Sequence, residues 1–339
     1  MKQPPDKEAL RSEYLNVCPN YERLAVNLQQ AFKNFLDDAG IDVLDVVFRI
    51  KDFDSFYDKI QRKSYEAPFK ETEDICGLRI ICFYPSDLEK ISQIINREFD
   101  VKESVDKAEL LEPDKFGYRS LHFIVTVKKD WLRAPNYRGL DNLKAEVQVR
   151  TILMHAWADI EHKLAYKKEE HVPDQFKRKL YRLSALFEMA DEQFDALWKD
   201  KEEYRESLLS EGAKESGQFD VSQPMNIDSL QAFLDFYFPD REGSIEETSL
   251  LLDELTKYNV SIKELVEAFE KVKGVLPQVE VQTFKRWEDW GESAGRWAQV
   301  GVVRTILELT NDDYWKVRKG WPGSDVIKKF RIVLSERNP

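Results

Sequence analysis

From Ile75 to Tyr84 the chain reads ICGLRIICFY, an apolar run without polar alternation. A strand that shows one face to water alternates, so this run predicts a strand covered on both faces in the interior of a sheet. Around it, short strands and helices follow one another: VLDVVFRIK as strand, DSFYDKIQRK as helix, SDLEKISQIINREF as helix, RSLHFIVTV and KAEVQVR as strands, then a helix from about Thr151 to Tyr166. This succession predicts a mixed α/β core with helices flanking the sheet. Ahead of it, Asp6 reads as the cap of a first helix that Pro19 interrupts. Leu24, Leu28, Phe32, Phe35 and Leu36 form the apolar stripe of a second helix, ended by Gly40.

Beyond the core, Phe176, Leu180, Leu183, Phe187, Ala190, Phe194 and Leu197 alternate spacings of four and three. A self-associating coiled coil would use such a stripe, but a helix packing it against its own domain is the expected outcome. The stretch SEGAKESGQFDVSQP has no apolar period and reads as a linker, giving a first domain at 1–208, a linker at 209–225 and a second domain at 226–339. Two or three amphipathic helices are expected between Ile227 and about Lys273, where 11 acidic residues face 3 basic ones between Asn226 and Glu270. Five of the eight tryptophans (287, 290, 297, 315 and 321) follow. They read as a small Trp-filled core ahead of a partner or nucleic-acid surface.

Composition narrows the function classes. With 51 Lys and Arg against 63 Asp and Glu the net charge is -12, which argues against a generally basic nucleic-acid binder. At 42% hydrophobic and 34% charged residues, with 13 Gly and 13 Pro among 339, the chain is globular and not disordered, collagen-like or a disulfide scaffold. Three cysteines, an odd count, suit a reducing compartment. The start carries no apolar leader core and no uncharged stretch approaches the roughly 18 to 20 residues of a membrane span, so a soluble cytoplasmic protein is expected.

Several polar residues converge. In VVFRIK, Arg49 and Lys51 share one strand face, and Ser55 and Lys59 lie one turn apart on the helix that follows. A strand end and helix start lined with cations and a hydroxyl suits a polyphosphate, or else is a solvated face. Asp74 stands at the mouth of the interior strand, with Gly77 allowing close backbone approach and Arg79 five residues on. In KAEVQVR, Glu146, Gln148 and Arg150 share a face opposite Val147 and Val149. Asp74 and Glu146 together could hold Mg²⁺, the alternative being structural ion pairs with the nearby arginines. Tyr118, in a loop after Gly117, can stack on a base, and His122 lies on the strand face opposite Leu121 and Phe123. His155, Asp159 and His162 fall on roughly one face of the last helix. With no HExxH glutamate and no cysteine nearby, zinc is not expected there.

Taken in order and spacing, RIK...S...K, EDICGLRI, FGYRSLH, EVQVRT and MHAWADIEHKLAYK resemble the synthetase domain of the RelA/SpoT family, across about Arg49 to Lys167. The resemblance implies a nucleotidyltransferase-like mixed sheet that transfers the β,γ-pyrophosphate of ATP to a ribose 3′-hydroxyl and releases AMP. It implies that Arg49 and Arg79 sandwich adenine and that Lys51, Ser55 and Lys59 hold the triphosphate. Asp74 and Glu146 would bind Mg²⁺, with Glu146 also activating the hydroxyl. Tyr118 would stack on the acceptor base, near His122, Gln148 and His155. Only 48 residues precede Arg49 and no His-Asp dipeptide occurs, so synthesis without hydrolysis is expected.

The resemblance leaves the acceptor open between two substrates. The family default is GTP or GDP, giving (p)ppGpp. Where alarmone synthetases typically read Pro-Lys, this chain reads Pro113-Asp114, with the basic residue displaced to Lys115. His155 stands where small alarmone synthetases often have Asn. With those departures, the wording HAWADIEHKLAYK resembles the toxic branch, which modifies the 3′ CCA end of tRNA and in some members carries a C-terminal domain that restrains it until a phage protein binds. The cluster Lys163, Lys167, Lys168, Lys177, Arg178 and Lys179 could follow an acceptor stem, or be a solvated helical face. A catalytically weak nucleotide sensor is the third reading, and the second domain is expected to regulate the first.

Overall fold

The computed structural model describes residues 6–106, 120–164, 173–215, 219–288, 295–320 and 323–337. The chain divides into two compact units, Met1–Trp198 and Lys199–Pro339. In the first, α1 (Lys7–Asp38) leads into β1 (Val43–Ile50), α2 (Phe53–Lys63), the single turn α3 (Pro68–Glu71), β2 (Cys76–Cys82), α4 (Pro85–Glu98), β3 (Asp100–Asp106), β4 (Leu121–Thr126), β5 (Ala145–Thr151) and α5 (Ile152–Leu164). The long α6 (Asp174–Glu215) follows.

The five strands form one mixed sheet in the order β1-β2-β5-β4-β3, in which only β2 and β5 run parallel. The run ICGLRIICFY is therefore an interior strand paired on both edges, by β1 and β5, although its Gly77 and Arg79 face a cavity and only its other face is fully covered. On one face Leu78, Ile80, Phe123, Val125, Val147 and Val149 join Leu24, Leu28 and Phe32 of α1 and Leu88, Ile91 and Ile95 of α4 in a single apolar cluster. The opposite face is polar, and α5 packs against β5 and β2.

Pro19 does not interrupt α1: one helix runs through it, capped by the Asp6 side chain, which accepts from Glu8 N. Proline forfeits the bond to the carbonyl four residues back. That residue is Leu15, and both it and Pro19 lie on the exposed side of the helix, while Tyr14, Tyr21 and Leu24 hold the buried face.

The stripe expected to pack α6 is largely exposed instead, with Phe176, Leu183, Phe194 and Leu197 at 48%, 45%, 55% and 63%. The buried positions of its first half include Ser184, Asp191 and Asp195. Asp191 accepts from Thr151 Oγ1 at 2.6 Å and Asp195 from Ser86 N at 2.9 Å, where α4 begins with unpaired amides. Two aromatic pairs, Trp157 with Phe187 and Tyr84 with Trp198, complete the attachment. Polar docking at the ends of other elements thus overrode the heptad period.

The second unit is helical among its described residues: α7 (Ile227–Tyr237), α8 (Ile245–Lys257), α9 (Ile262–Val272), α10 (Leu276–Glu288), α11 (Gln299–Thr310), α12 (Asp312–Arg318) and α13 (Ser324–Arg337). Capping boxes Asn226/Ser229 and Ser261/Glu264 start α7 and α9. The unit boundary falls inside α6, ahead of the segment read as a linker, and α6 continues through Glu215. Leu208 and Phe219 are buried in the second core, where Phe219 meets Phe233 edge-on. That core is built mainly of Leu, Val, Ile and Phe. Trp297 is buried in it and Trp315 partly so, whereas Trp290 and Trp321 lie outside the described residues. Among the described residues no helix is long and apolar enough to cross a membrane.

Candidate active site

Strand register builds the site. Two rows cross the polar face of the sheet: Arg49, Gly77, Glu146 and Ile124 in one, Val47, Arg79, Gln148 and His122 in the next. Alternation along each strand places these side chains on one side, away from the apolar cluster. Above them lies a cavity of about 310 Å³, lined among others by Arg49, Asp74, Gly77, Arg79, Glu146, Gln148 and Asp159. A Cβ on Gly77 would stand 3.7 Å from Arg49 Cγ, an ordinary contact, so this glycine leaves cavity space and does not relieve a clash.

At the β1 end, Asp74 forms ion pairs with both lysines of the expected ladder, Lys51 Nζ and Lys59 Nζ each standing 3.0 Å from one of its oxygens. Lys51 is held in place as Lys51 N donates to Ile75 O at 2.9 Å and its own carbonyl accepts from the Tyr14 hydroxyl. Lys59 comes from the second turn of α2, whose N-cap Asp52 accepts from Ser55 N at 2.8 Å. Hydrogen bonds from the Ser55 backbone and hydroxyl hold the Asp52 carboxyl below its ordinary pKa. Ser55 thus sits on the helix cap, while Lys51 and Lys59 converge on Asp74.

In the middle, Glu146 is gripped on both oxygens: His122 Nδ1 lies 3.0 Å from Oε1, and Gln148 Nε2 donates to Oε2 at 3.0 Å. His122 Nε2 and Gln148 Oε1 are buried with no hydrogen-bond partner among the described residues. A buried polar atom left unpaired is costly. Two such atoms beside one carboxylate leave hydrogen-bonding capacity unused among the described residues.

At the α5 end, Arg79 Nη1 lies 3.2 Å from His155 Nδ1 and 3.9 Å from Asp159 Oδ1. Arg150, two residues beyond Gln148 on the same face, is 7% exposed. Burial first, then the positive charges of Arg79 and Arg49 against the opposing Asp159, push its pKa down to about 10. Three arginines and two lysines thus meet three carboxylates, an excess of positive charge suited to a polyanion. The parity of KAEVQVR already put Arg150 on this face. Asp159 showed only in a helical spacing read for zinc, and its partner on β2 is invisible in sequence.

Asp74, Glu146 and Asp159 line the cavity, and the first two are the carboxylates expected to hold a cation. Among the described residues no group of three or more His, Cys, Asp or Glu could hold a metal. Two carboxylates with substrate phosphates completing the shell is the donor set Mg²⁺ accepts, so these residues fit it. Tyr118, Asp114, Lys115, Lys167 and Lys168 lie outside the described residues.

Residues 48–171 match the family model described as the region found in RelA/SpoT proteins. GTP pyrophosphokinase YwaC of Bacillus subtilis (strain 168) is 34% identical over 148 residues, 42% of this chain and 68% of the relative. GTP pyrophosphokinase YjbM of the same organism is 32% identical over 155 residues, 45% of this chain and 70% of the relative. Among solved structures, small alarmone synthetase 1 from Bacillus subtilis is 27% identical with a TM-score of 0.47, over 56% of this chain and 98% of that one. The matched segment carries every cavity-lining residue named above. By that segment, and by curated relatives a third identical across two thirds of their own length, the chain belongs to the RelA/SpoT family.

Proposed function

We propose that the chain transfers the β,γ-pyrophosphate of ATP to the 3′-hydroxyl of GTP or GDP, forming (p)ppGpp and releasing AMP. Family membership makes it an ATP-dependent pyrophosphokinase, and the guanosine acceptor rests on the names of its curated relatives. The observation that carries the reading is the cavity itself, where cations from β1, α2 and β2 surround two carboxylates and Glu146 is oriented on both oxygens.

The chemistry is an in-line displacement at the β-phosphorus. The 3′-oxygen bonds to that phosphorus, the bond to the oxygen bridging the α-phosphate breaks, and AMP leaves with that oxygen. Catalysis of this kind is mostly positioning and charge neutralisation. Arg49 and Arg79 flank the adenine. Lys51 and Lys59 turn from Asp74 to the triphosphate, with Ser55 at the same helix start. Asp74 and Glu146 would hold Mg²⁺, whose charge offsets that building on the phosphoryl oxygens. Glu146, held by His122 and Gln148, takes the proton of the attacking hydroxyl. The unpaired Gln148 Oε1 and His122 Nε2 are available to the acceptor nucleoside, and Tyr118 stacks on its base.

The test is incubation of the purified chain with Mg²⁺ and ATP labelled in the γ-phosphate, offering GTP, GDP and bulk tRNA in parallel. Label in guanosine tetra- or pentaphosphate is the expected result. Label in tRNA alone would replace this reading by that of a translation-blocking toxin, and label in neither would refute both.

A further inference from the structure

Arg79 leaves β2 toward α5, and the first two turns of that helix answer it with two residues four apart. His155 Nδ1 lies 3.2 Å from Arg79 Nη1, Asp159 Oδ1 lies 3.9 Å from the same nitrogen, and Asp159 Oδ2 lies 3.8 Å from His155 Nε2. One hydrogen bond and two longer ion-pair contacts thus join the three side chains at one wall of the cavity.

The chemistry of the three groups settles their protons. A guanidinium only donates, so His155 Nδ1 accepts, which puts the ring proton on Nε2, the nitrogen facing Asp159. His155 is therefore neutral in this arrangement. Its pKa lies below the usual imidazole value: burial lowers it most, Arg79 and Arg150 lower it further, and Asp159 opposes them. Those three are the charged groups facing it from β2, β5 and α5.

A guanidinium that stacks on a base offers a flat face and keeps its N-H groups in the plane of its edge. One hydrogen-bond acceptor and one carboxylate at ion-pair distance, both from α5, bracket that edge and resist rotation of a long side chain. We infer that Asp159, acting through His155, is a positioning residue that orients the Arg79 guanidinium for the adenine of ATP. The inference rests on the proposed role of Arg79. It moves His155 from the acceptor nucleoside to the ATP side of the site, and gives a function to Asp159, which is 61% exposed and has no structural need of its partners.

Steady-state kinetics with ATP and the acceptor varied separately, together with equilibrium binding of a non-hydrolysable ATP analogue, test it. Loss of a half-exposed charge in Asp159→Asn is expected to raise the KM for ATP and the analogue Kd roughly threefold. Loss of the close acceptor in His155→Ala raises both about tenfold. kcat and the acceptor KM stay near wild type in each. Acidification protonates Nδ1 against a cation, so the wild-type KM for ATP rises on the acid side. In Asp159→Asn that limb moves to lower pH, because the one influence raising the His155 pKa is gone. In His155→Gln, where an amide oxygen accepts from Arg79 and cannot titrate, ATP affinity is kept and the limb disappears. An acceptor KM that moves while ATP binding does not, or an acid limb unchanged in His155→Gln, overturns the inference. A wild-type chain that binds the analogue but transfers no pyrophosphate refutes the proposed function instead, and the binding arm still decides the role of Asp159.

Discussion

Asp191→Asn is expected to stabilise the first unit at neutral pH and to lose that gain below about pH 4. Asp191 is 4% exposed on α6 and accepts from Thr151 Oγ1 at 2.6 Å. Burial raises its pKa most, the Thr151 bond lowers it and Asp195 raises it again, leaving it at about 6 against an ordinary 3.8. The folded state therefore binds this proton more tightly than the unfolded one. The corresponding stability is fully present below the unfolded pKa, is lost as pH rises through about 6, and stays lost above. At about 1.4 kcal/mol per pH unit, the difference between 3.8 and about 6 amounts to roughly 3 kcal/mol. Asparagine keeps a carbonyl oxygen for the Thr151 hydroxyl and removes the charge. Its amide needs a new acceptor, so the expected gain at pH 8 is about 1 to 3 kcal/mol.

All three cysteines, Cys18, Cys76 and Cys82, lie in the first unit, the last two fully buried. Urea unfolding from pH 4 to 8, read by a brief thiol-labelling pulse at one fixed pH, therefore reports that unit alone. The opposite sign is expected for Thr151→Val. Thr151 Oγ1 also accepts from Met154 N at 3.1 Å at the start of α5, so the variant loses a cap worth about 1 kcal/mol and leaves Asp191 without its donor. An Asp191→Asn variant less stable than wild type at pH 8, or a gain independent of pH, would refute the reasoning.

Glu146→Gln is expected to lower kcat by a factor on the order of 10² to 10⁴, measured as AMP release. Retention of a tenth of the turnover would place the base elsewhere. In the second unit, a Cβ on Gly243 would fall 2.4 Å from Gln299 Oε1. That oxygen accepts from Gln231, and Gln299 Nε2 donates to Asp235 and Phe238 O, so the side chain cannot swing away freely. Gly243→Ala is expected to cost about 1 to 3 kcal/mol, seen as faster hydrogen exchange in α7 and α11. Tyr314 donates to Glu254 Oε2 at 2.6 Å, and Arg304 donates to both oxygens of the same carboxylate. Tyr314→Phe is expected to cost about 1 kcal/mol by exchange in α8 and α11, and unchanged exchange would show the hydroxyl to be dispensable.

Particular residues show how far a sequence carries. The missing alternation in ICGLRIICFY located an interior strand, and the parity of KAEVQVR put Glu146, Gln148 and Arg150 on one face, where they stand in β5. The helices from Ile227 to Lys273 were equally plain from their period. Pro19 misled because a local penalty was judged without knowing that it falls on the exposed side of a helix held by its buried face. The stripe of α6 misled for the converse reason, since its period was real but the attachment runs through Asp191, Asp195 and two aromatic pairs.

Alternation, helical period and capping are properties of neighbours along the chain, held by backbone geometry over a few residues. From them the sequence alone determined the strands, most helices, the polar face of the sheet and the motifs of the RelA/SpoT family. Tertiary structure decided the rest: which strands pair and in what register, that Lys51 and Lys59 meet at Asp74 while Ser55 caps α2, that His155 and Asp159 close on Arg79, and where one unit ends. Those contacts join residues tens of positions apart. Their free energy comes from burial and charge pairing after the chain has closed on itself, and no local period encodes it.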